Sequence, residues 1–305
     1  MKSFITGIDG FIGSWLSKQL IDAGDQVSGL SRMPNSPDDE IARYDADLTD
    51  ASGIEKSIRE AQPDRLFHLA AQSNIPESFA NPTQTIDVNV NGTIHLLEAL
   101  RKHSPQTVFV SVGSSAEYGL TAQSEDFLQE DMPLLPSSPY GISKATQGHF
   151  ASLYHRAYGL KTVHVRPFAI IGPKKTKDAL YDFCNGVIAI ENGKSEKLAT
   201  GNLDAIRDFV DVRDMINWLT LLSEKGEWGE TYNMCTGREM NLHGILEILK
   251  KLSSKPIHTV LDEKRARPSD DLRIVGNPKK IETIGSSTYS LEDTIKNTFE
   301  YWRNQ

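Results

Sequence analysis

The chain has 305 residues, 38% hydrophobic and 24% charged, with a formal net charge of −8. That length suits one large α/β unit with a smaller lobe and no more than two domains. The acidic balance argues against a nucleic-acid or anionic-membrane partner, because no excess basic field exists to draw a polyanion.

Through the first two thirds, short β-rich runs alternate with helical patterns. Strands are predicted over 3–6, 26–30, 65–69, 107–110 and 162–165, and helices near 12–23, 51–60, 83–102 and 140–158. Strands joined by helical crossovers predict an α/β fold with a parallel sheet wound on both faces. Two of the strands are apolar with little alternation, as coverage on both faces requires.

Past Pro167 the pattern loosens. It runs through the Lys-rich loop GPKKTKD (172–178), a helix ending near Glu191, a turn at Asn192-Gly193 and a strand at 208–210. A helix from Val212 to about Ser223 follows, then a strand YNMC (232–235) expected to rejoin the main sheet, then a helix over 242–252. The expected division is a larger α/β domain at 1–171, rejoined by about 205–236. A smaller lobe is expected from 172–204 and 237–305.

The two cysteines, Cys184 and Cys235, have no metal spacing and read as reduced thiols. The histidines show no metal spacing either, and the four tryptophans read as packing residues. The chain opens on a strand and contains no apolar run of about 18 residues, so a cytoplasmic location without a membrane partner is expected.

TGIDGFIG (6–13) places Gly7, Gly10 and Gly13 between the first strand and the first helix, with Phe11 and Ile12 in the turn. Glycines there let backbone N–H groups approach a pyrophosphate, whose charge the helix N-terminus stabilises. An acidic residue ending the second strand would bind the 2′-hydroxyl of NAD. Ser31-Arg32 stands there instead, and a guanidinium beside a hydroxyl suits a 2′-phosphate. NADP is therefore preferred, with NAD left open.

YGISK (140–144) sets Tyr140 and Lys144 four residues apart, on one helical face. An ammonium near a phenol lowers its pKa, which makes Tyr140 a general acid or base near neutral pH. Ser115, after the strand at 107–110, is expected to hydrogen-bond a substrate oxygen, with Ser114 beside it on the substrate side. Glu117 is the candidate base for proton abstraction from carbon, should the chemistry need one.

The glycine pattern, Asp47-Leu48, HLAA (68–71), NVNGT (89–93), Ser115 and YGISK together resemble the extended short-chain dehydrogenase/reductase family over nearly the whole chain. The resemblance implies NAD(P) held across a Rossmann domain and a carboxy-terminal lobe for a nucleotide-sugar. It also implies that Asp47 and Leu48 flank the adenine, that Leu69, Ala70 and Ala71 line the cofactor, and that Lys144 holds the nicotinamide ribose. A homodimer built on helices near 83–102 and 140–158 is implied as well.

GNLDAIRDFVDVRD (201–214) and RARPSDD (265–271) resemble the branch acting on GDP-mannose derivatives. By that resemblance Arg207 and Arg267 bind a diphosphate, Asp270 contacts the nucleoside, and Gln72 and Ser73 face the sugar. RPFAIIGP (166–173) carries Ala169 where the family usually has Asn, so one amide contact to the nucleotide-sugar is lost.

The expected reaction is NAD(P)H-dependent reduction of the C4 ketone of a GDP-linked 4-keto-6-deoxymannose, giving GDP-D-rhamnose. The alternatives are a 4,6-dehydratase using Glu117 at C5, a 4-epimerase, and a non-catalytic NADP-sensing protein. Dehydratases of the family resemble S-T-x-E-x-Y-G, whereas Glu117 here abuts Tyr118, which tilts the reading toward hydride transfer.

Overall fold

The structure, a computed structural model, describes residues 1–31, 41–262 and 273–305. β1 (Lys2–Thr6), α1 (Phe11–Asp22), β2 (Gln26–Ser31), β3 (Ile41–Asp45), α2 (Ala51–Ala61) and β4 (Arg65–His68) come first. Two short helices, α3 (Ile75–Ala80) and α4 (Pro82–Ile86), lead through a π turn at Asp87–Asn91 into α5 (Gly92–His103). β5 (Val108–Val112), α6 (Pro139–Tyr158) and β6 (Lys161–Pro167) follow.

Next are β7 (Ala169–Ile171), α7 (Ala179–Glu191), β8 (Leu198–Thr200), β9 (Ile206–Asp211), α8 (Val212–Lys225) and β10 (Thr231–Met234). The chain then forms β11 (Glu239–Asn241), α9 (Leu242–Leu252), β12 (Thr259–Leu261), β13 (Arg273–Ile274), α10 (Lys279–Glu282) and α11 (Leu291–Arg303).

Seven strands form one parallel sheet in the order β10-β6-β5-β4-β1-β2-β3. Successive residues on its strands point to opposite faces. Phe4, Leu66 and Phe109 pack with side chains of α2, α5 and α6, while Ile5, Phe67 and Val110 pack with those of α1 and α8. Both faces are thus covered, the doubly wound arrangement that the apolar strand patterns predict. A separate core of α7, α9 and α11 supports the smaller lobe.

β9, in the stretch 205–236 expected to rejoin the first domain, lies in a small sheet with β11, β13 and β7. Of the returning stretch, it is β10 that pairs with β6. β7, inside the first 171 residues, also leaves the main sheet: the chain turns after Pro167 and pairs with β9 instead. The strand β3 was not anticipated, because Arg43 and Asp45 interrupt its short apolar run. Among the described residues no helix is long and apolar enough to cross a membrane.

Candidate active site

A cleft lies at the carboxyl ends of the main-sheet strands, across the switch point where β1 is flanked by β2 and β4. Its volume is 1930 Å³. A single small-ligand pocket spans about 300–1,000 Å³, so this cleft has room for two ligands side by side.

The cradle at its floor is built by close approach. Gly7 has φ 70°, and a Cβ there would sit 3.0 Å from the Ala70 backbone. A Cβ on Gly13 would fall 2.2 Å from the Gly7 carbonyl oxygen. α1 follows Gly10 at its N-cap, with no side-chain cap and no acidic residue in its first turn. Its N–H groups and dipole therefore face the cleft uncompensated, as a bound phosphate requires. Gly7, Gly10, Phe11, Ile12 and Gly13 all line the cleft, so the residues present fit a dinucleotide's pyrophosphate.

The other cofactor-side candidates gather around this cradle. Ser31 ends β2, and its hydroxyl donates to Asp9 Oδ2 at 2.5 Å, while Arg43 Nε donates to the other oxygen at 3.3 Å. Asp47, Leu48, Leu69, Ala70 and Ala71 line the same space. Arg32, Arg267 and Asp270 lie outside the described residues.

Tyr140, Lys144 and Ser114 also line the cleft. Tyr140 and Lys144 enter it from the first turns of α6, which Ser138 caps by accepting from Gly141 N at 3.0 Å. Burial pushes the Tyr140 hydroxyl up to about 12, with a hydrogen bond to Ser114 acting the other way and the charge of Glu117 adding to the rise. The lowering by Lys144 that the sequence suggests is not what governs this phenol. Burial brings Lys144 down to about 8, against the opposing pull of Glu117.

The serine beside Tyr140 is Ser114, and Ser115 is not among the residues lining the cleft. The local cause is the spacing Ser114-Ser115-Ala116-Glu117, an S-x-x-E capping box on a 3₁₀ turn over Ser115–Glu117. Ala116 N donates to Ser114 Oγ at 3.1 Å, and Ser114 N donates to Glu117 Oε1 at 2.9 Å. Ser114 is thereby fixed at the end of β5, while Ser115 starts the turn.

Glu117, the candidate carbon base, does not reach the cleft. It is fully buried, with Oε1 accepting from His164 Nε2 at 3.0 Å and Oε2 from Arg166 Nε at 2.8 Å. Burial alone would raise its pKa, but His164 and Arg166 hold it at about 2. A carboxylate so enclosed and so acidic has neither access to a substrate carbon nor basicity to offer.

Gln72 and Ser73 line the cleft, yet the Gln72 amide is engaged within the protein. Its Oε1 accepts from Asn74 N at 2.6 Å, and its Nε2 donates to Thr85 Oγ1 at 3.0 Å. Gln72 thus braces the loop before α3. Arg207 sits on β9, outside the cleft lining, with Nη1 donating to the Ile206 carbonyl at 2.9 Å. Ala169 does line the cleft, at the start of β7.

The sequence reading missed Asp9, Asn81, Thr83, Gln84, Lys175 and Lys177, all of which line the cleft. The Lys-rich composition of 172–178 was the available signal for the last two. Lys177 has φ 63°, and Lys175 Nζ is tied to the Ile170 carbonyl at 2.5 Å.

A family model described as GDP-mannose 4,6 dehydratase matches residues 4–298. A GDP-6-deoxy-D-mannose reductase of Pseudomonas aeruginosa is 29% identical over 298 residues, covering 97% of this chain and 93% of that protein. A GDP-mannose 4,6-dehydratase of Yersinia enterocolitica is 28% identical over 270 residues, covering 82% and 71%. Among solved structures, RMD from Pseudomonas aeruginosa complexed with NADPH superposes with a TM-score of 0.87 at 24% identity, over 100% of this chain and 99% of that one.

Proposed function

Since this chain belongs to the GDP-mannose 4,6-dehydratase family, whose members here are NAD(P)-dependent enzymes acting on nucleotide-sugars, we propose that it reduces the C4 ketone of GDP-4-dehydro-6-deoxy-D-mannose to GDP-D-rhamnose. The observation that carries the reading is the Tyr140–Ser114 pair lining the same cleft as the glycine cradle, with Glu117 buried outside that lining. Ketone reduction needs a hydride and a single proton donor. Elimination of water across C5 and C6 also needs a base at C5, and the placement of Glu117 withdraws the residue nominated for that role.

When bound in the cradle, a nicotinamide dinucleotide supplies the hydride. Tyr140 is protonated at neutral pH and delivers its proton to the C4 oxygen as the hydride reaches C4. Ser114 orients that oxygen through its hydroxyl. Lys144 stabilises the phenolate left on Tyr140 until a proton returns from solvent. Ser31 lines the cleft at the end of β2, where no acidic side chain stands, which supports NADPH, although its hydroxyl donates to Asp9, whose charge opposes a second anion. Arg207, with Arg267 and Asp270, is assigned to the GDP moiety.

The test is to mix purified protein with NADPH and GDP-4-keto-6-deoxymannose and follow absorbance at the nicotinamide band. The expected outcome is stoichiometric NADPH consumption, with Tyr140→Phe reducing kcat at least about 100-fold and leaving the NADPH dissociation constant unchanged. Formation of a keto sugar from GDP-mannose alone, with no NADPH consumed, would replace the reductase reading by the dehydratase one.

A further inference from the structure

Behind Lys144 lies a run of buried polar side chains that the reduction does not use directly. Lys144 Nζ donates to the Val112 carbonyl at 2.8 Å and to Gln147 Oε1 at 2.9 Å. Gln147 Nε2 donates to Ser111 Oγ at 2.9 Å, and Ser111 Oγ meets His164 Nδ1 at 3.1 Å. His164 Nε2 reaches Glu117 Oε1, the same oxygen that accepts from Ser114 N. The run therefore leaves the cleft at Lys144 and returns to it at Ser114.

The surrounding backbone is shaped to admit it. A Cβ on Gly113 would lie 2.0 Å from Glu117 Oε1 and 2.5 Å from His164 Nε2. A Cβ on Gly148, in the interior of α6, would lie 2.7 Å from His164 Nε2. Glycine is a poorer helix former than alanine, so its presence at this contact marks space reserved for the imidazole. Gln147 is directional as well: its oxygen faces the ammonium and its nitrogen faces Ser111, an orientation that only an amide supplies at this position.

We propose that Gln147, Ser111, His164 and Glu117 form a buried bridge that holds the Lys144 ammonium and the Ser114 backbone in register, which makes Gln147 a positioning residue of the active site. The inference rests on the reading that Tyr140 and Lys144 carry the reaction. Charged and titratable groups face the bridge from every element around it. They are Tyr140 and Lys144 on α6, His164 and Arg166 on β6, His68 on β4, and Glu117 and Tyr118 at the 3₁₀ turn. Within this set Glu117 is the carboxylate, and its charge favours the protonated form of Lys144. The amide oxygen of Gln147 acts in the same direction, because a hydrogen bond accepted from an ammonium stabilises the charged form.

The experiment compares Gln147→Met and Ser111→Ala with the unaltered protein, using NADPH and GDP-4-keto-6-deoxymannose across pH. Gln147→Met should lower kcat about tenfold with the sugar KM nearly unchanged. It should also move the alkaline limb of kcat down by about one pH unit. The pH dependence of the NADPH dissociation constant, read by fluorescence without turnover, should move with it. Ser111→Ala, which cuts the bridge in its middle, should shift both in the same direction by less, and it guards against a folding defect in the first variant. An unmoved alkaline limb in both variants, whether activity is retained or falls together with the melting temperature, overturns the bridge. An active Tyr140→Phe would instead remove the reading on which the bridge rests.

Discussion

His68 is confined to one protonation state by its partners. Thr93 Oγ1 donates to the Asn89 carbonyl at 2.6 Å, so it accepts from His68 Nε2 at 3.0 Å. Thr6 Oγ1 accepts from Ala70 N at 3.1 Å and donates to His68 Nδ1 at 2.8 Å. The neutral Nε2–H tautomer satisfies the whole chain. Burial, reinforced by the charge of Lys144, lowers its pKa to about 3. Between that value and an unfolded pKa near 6.5 the unfolded chain binds the extra proton, so stability is full above about pH 6.5 and falls as pH drops toward 3. Urea unfolding at pH 6.5 and pH 5 should differ by roughly 1–2 kcal/mol from this residue. His68→Gln should flatten that difference; an equal slope in both proteins would show that other groups set the acid limit. The histidine itself is plain in the sequence, but its partners come from β1 and α5, and no local pattern announces them. Glu117 is the same case: His164 and Arg166 lie on β6, so the residue reads as a free acid until the strands are laid side by side.

Elements whose signal is local were legible. The glycine turn into α1, the apolar strands of the main sheet and the 242–252 helix follow from short-range pattern. β3 was hidden by its charged residues, and the small sheet by strands of two to six residues. The choice between Ser114 and Ser115 is present in the sequence as an S-x-x-E spacing, whose capping geometry is less conspicuous than its proton-carrying side chains. α6 shows the limit of local reasoning from the other side. Propensity alone says that Gly148→Ala should stabilise this helix by about 1 kcal/mol. The methyl would instead meet His164 Nε2 at 2.7 Å and Cδ2 at 2.8 Å, both held by β6 and neither at the end of a flexible chain. Overpacking of that kind costs about 1–3 kcal/mol, so the denaturation midpoint of Gly148→Ala should fall. A midpoint that rises would mean that the imidazole can shift at little cost.

At the scale of the molecule, α8 couples the two parts of the fold. Its Met215, Trp218 and Leu219 pack in the main core with Leu16 and Leu20 of α1. It also reaches the carboxy-terminal segment. Trp218 Nε1 donates to the Gly285 carbonyl at 2.6 Å, and Asp214 accepts from Thr288 N at 2.8 Å and Tyr289 N at 3.2 Å. Those two amides lie just before α11, whose Thr294 hydroxyl donates to Asp211 at 2.6 Å. Asp214 is therefore a point where a helix packed in the main core anchors the segment leading into α11. Burial raises its pKa against the two backbone donors, and removing it leaves those N–H groups unpaired. Asp214→Ala should cost about 1–3 kcal/mol, concentrated at the lobe. Hydrogen exchange followed by mass spectrometry should then show faster exchange across residues 291–303, with β1 and β4 as protected as before. Loss of protection spread evenly over both parts would mean that the molecule opens as one unit and that this anchor has no separate role.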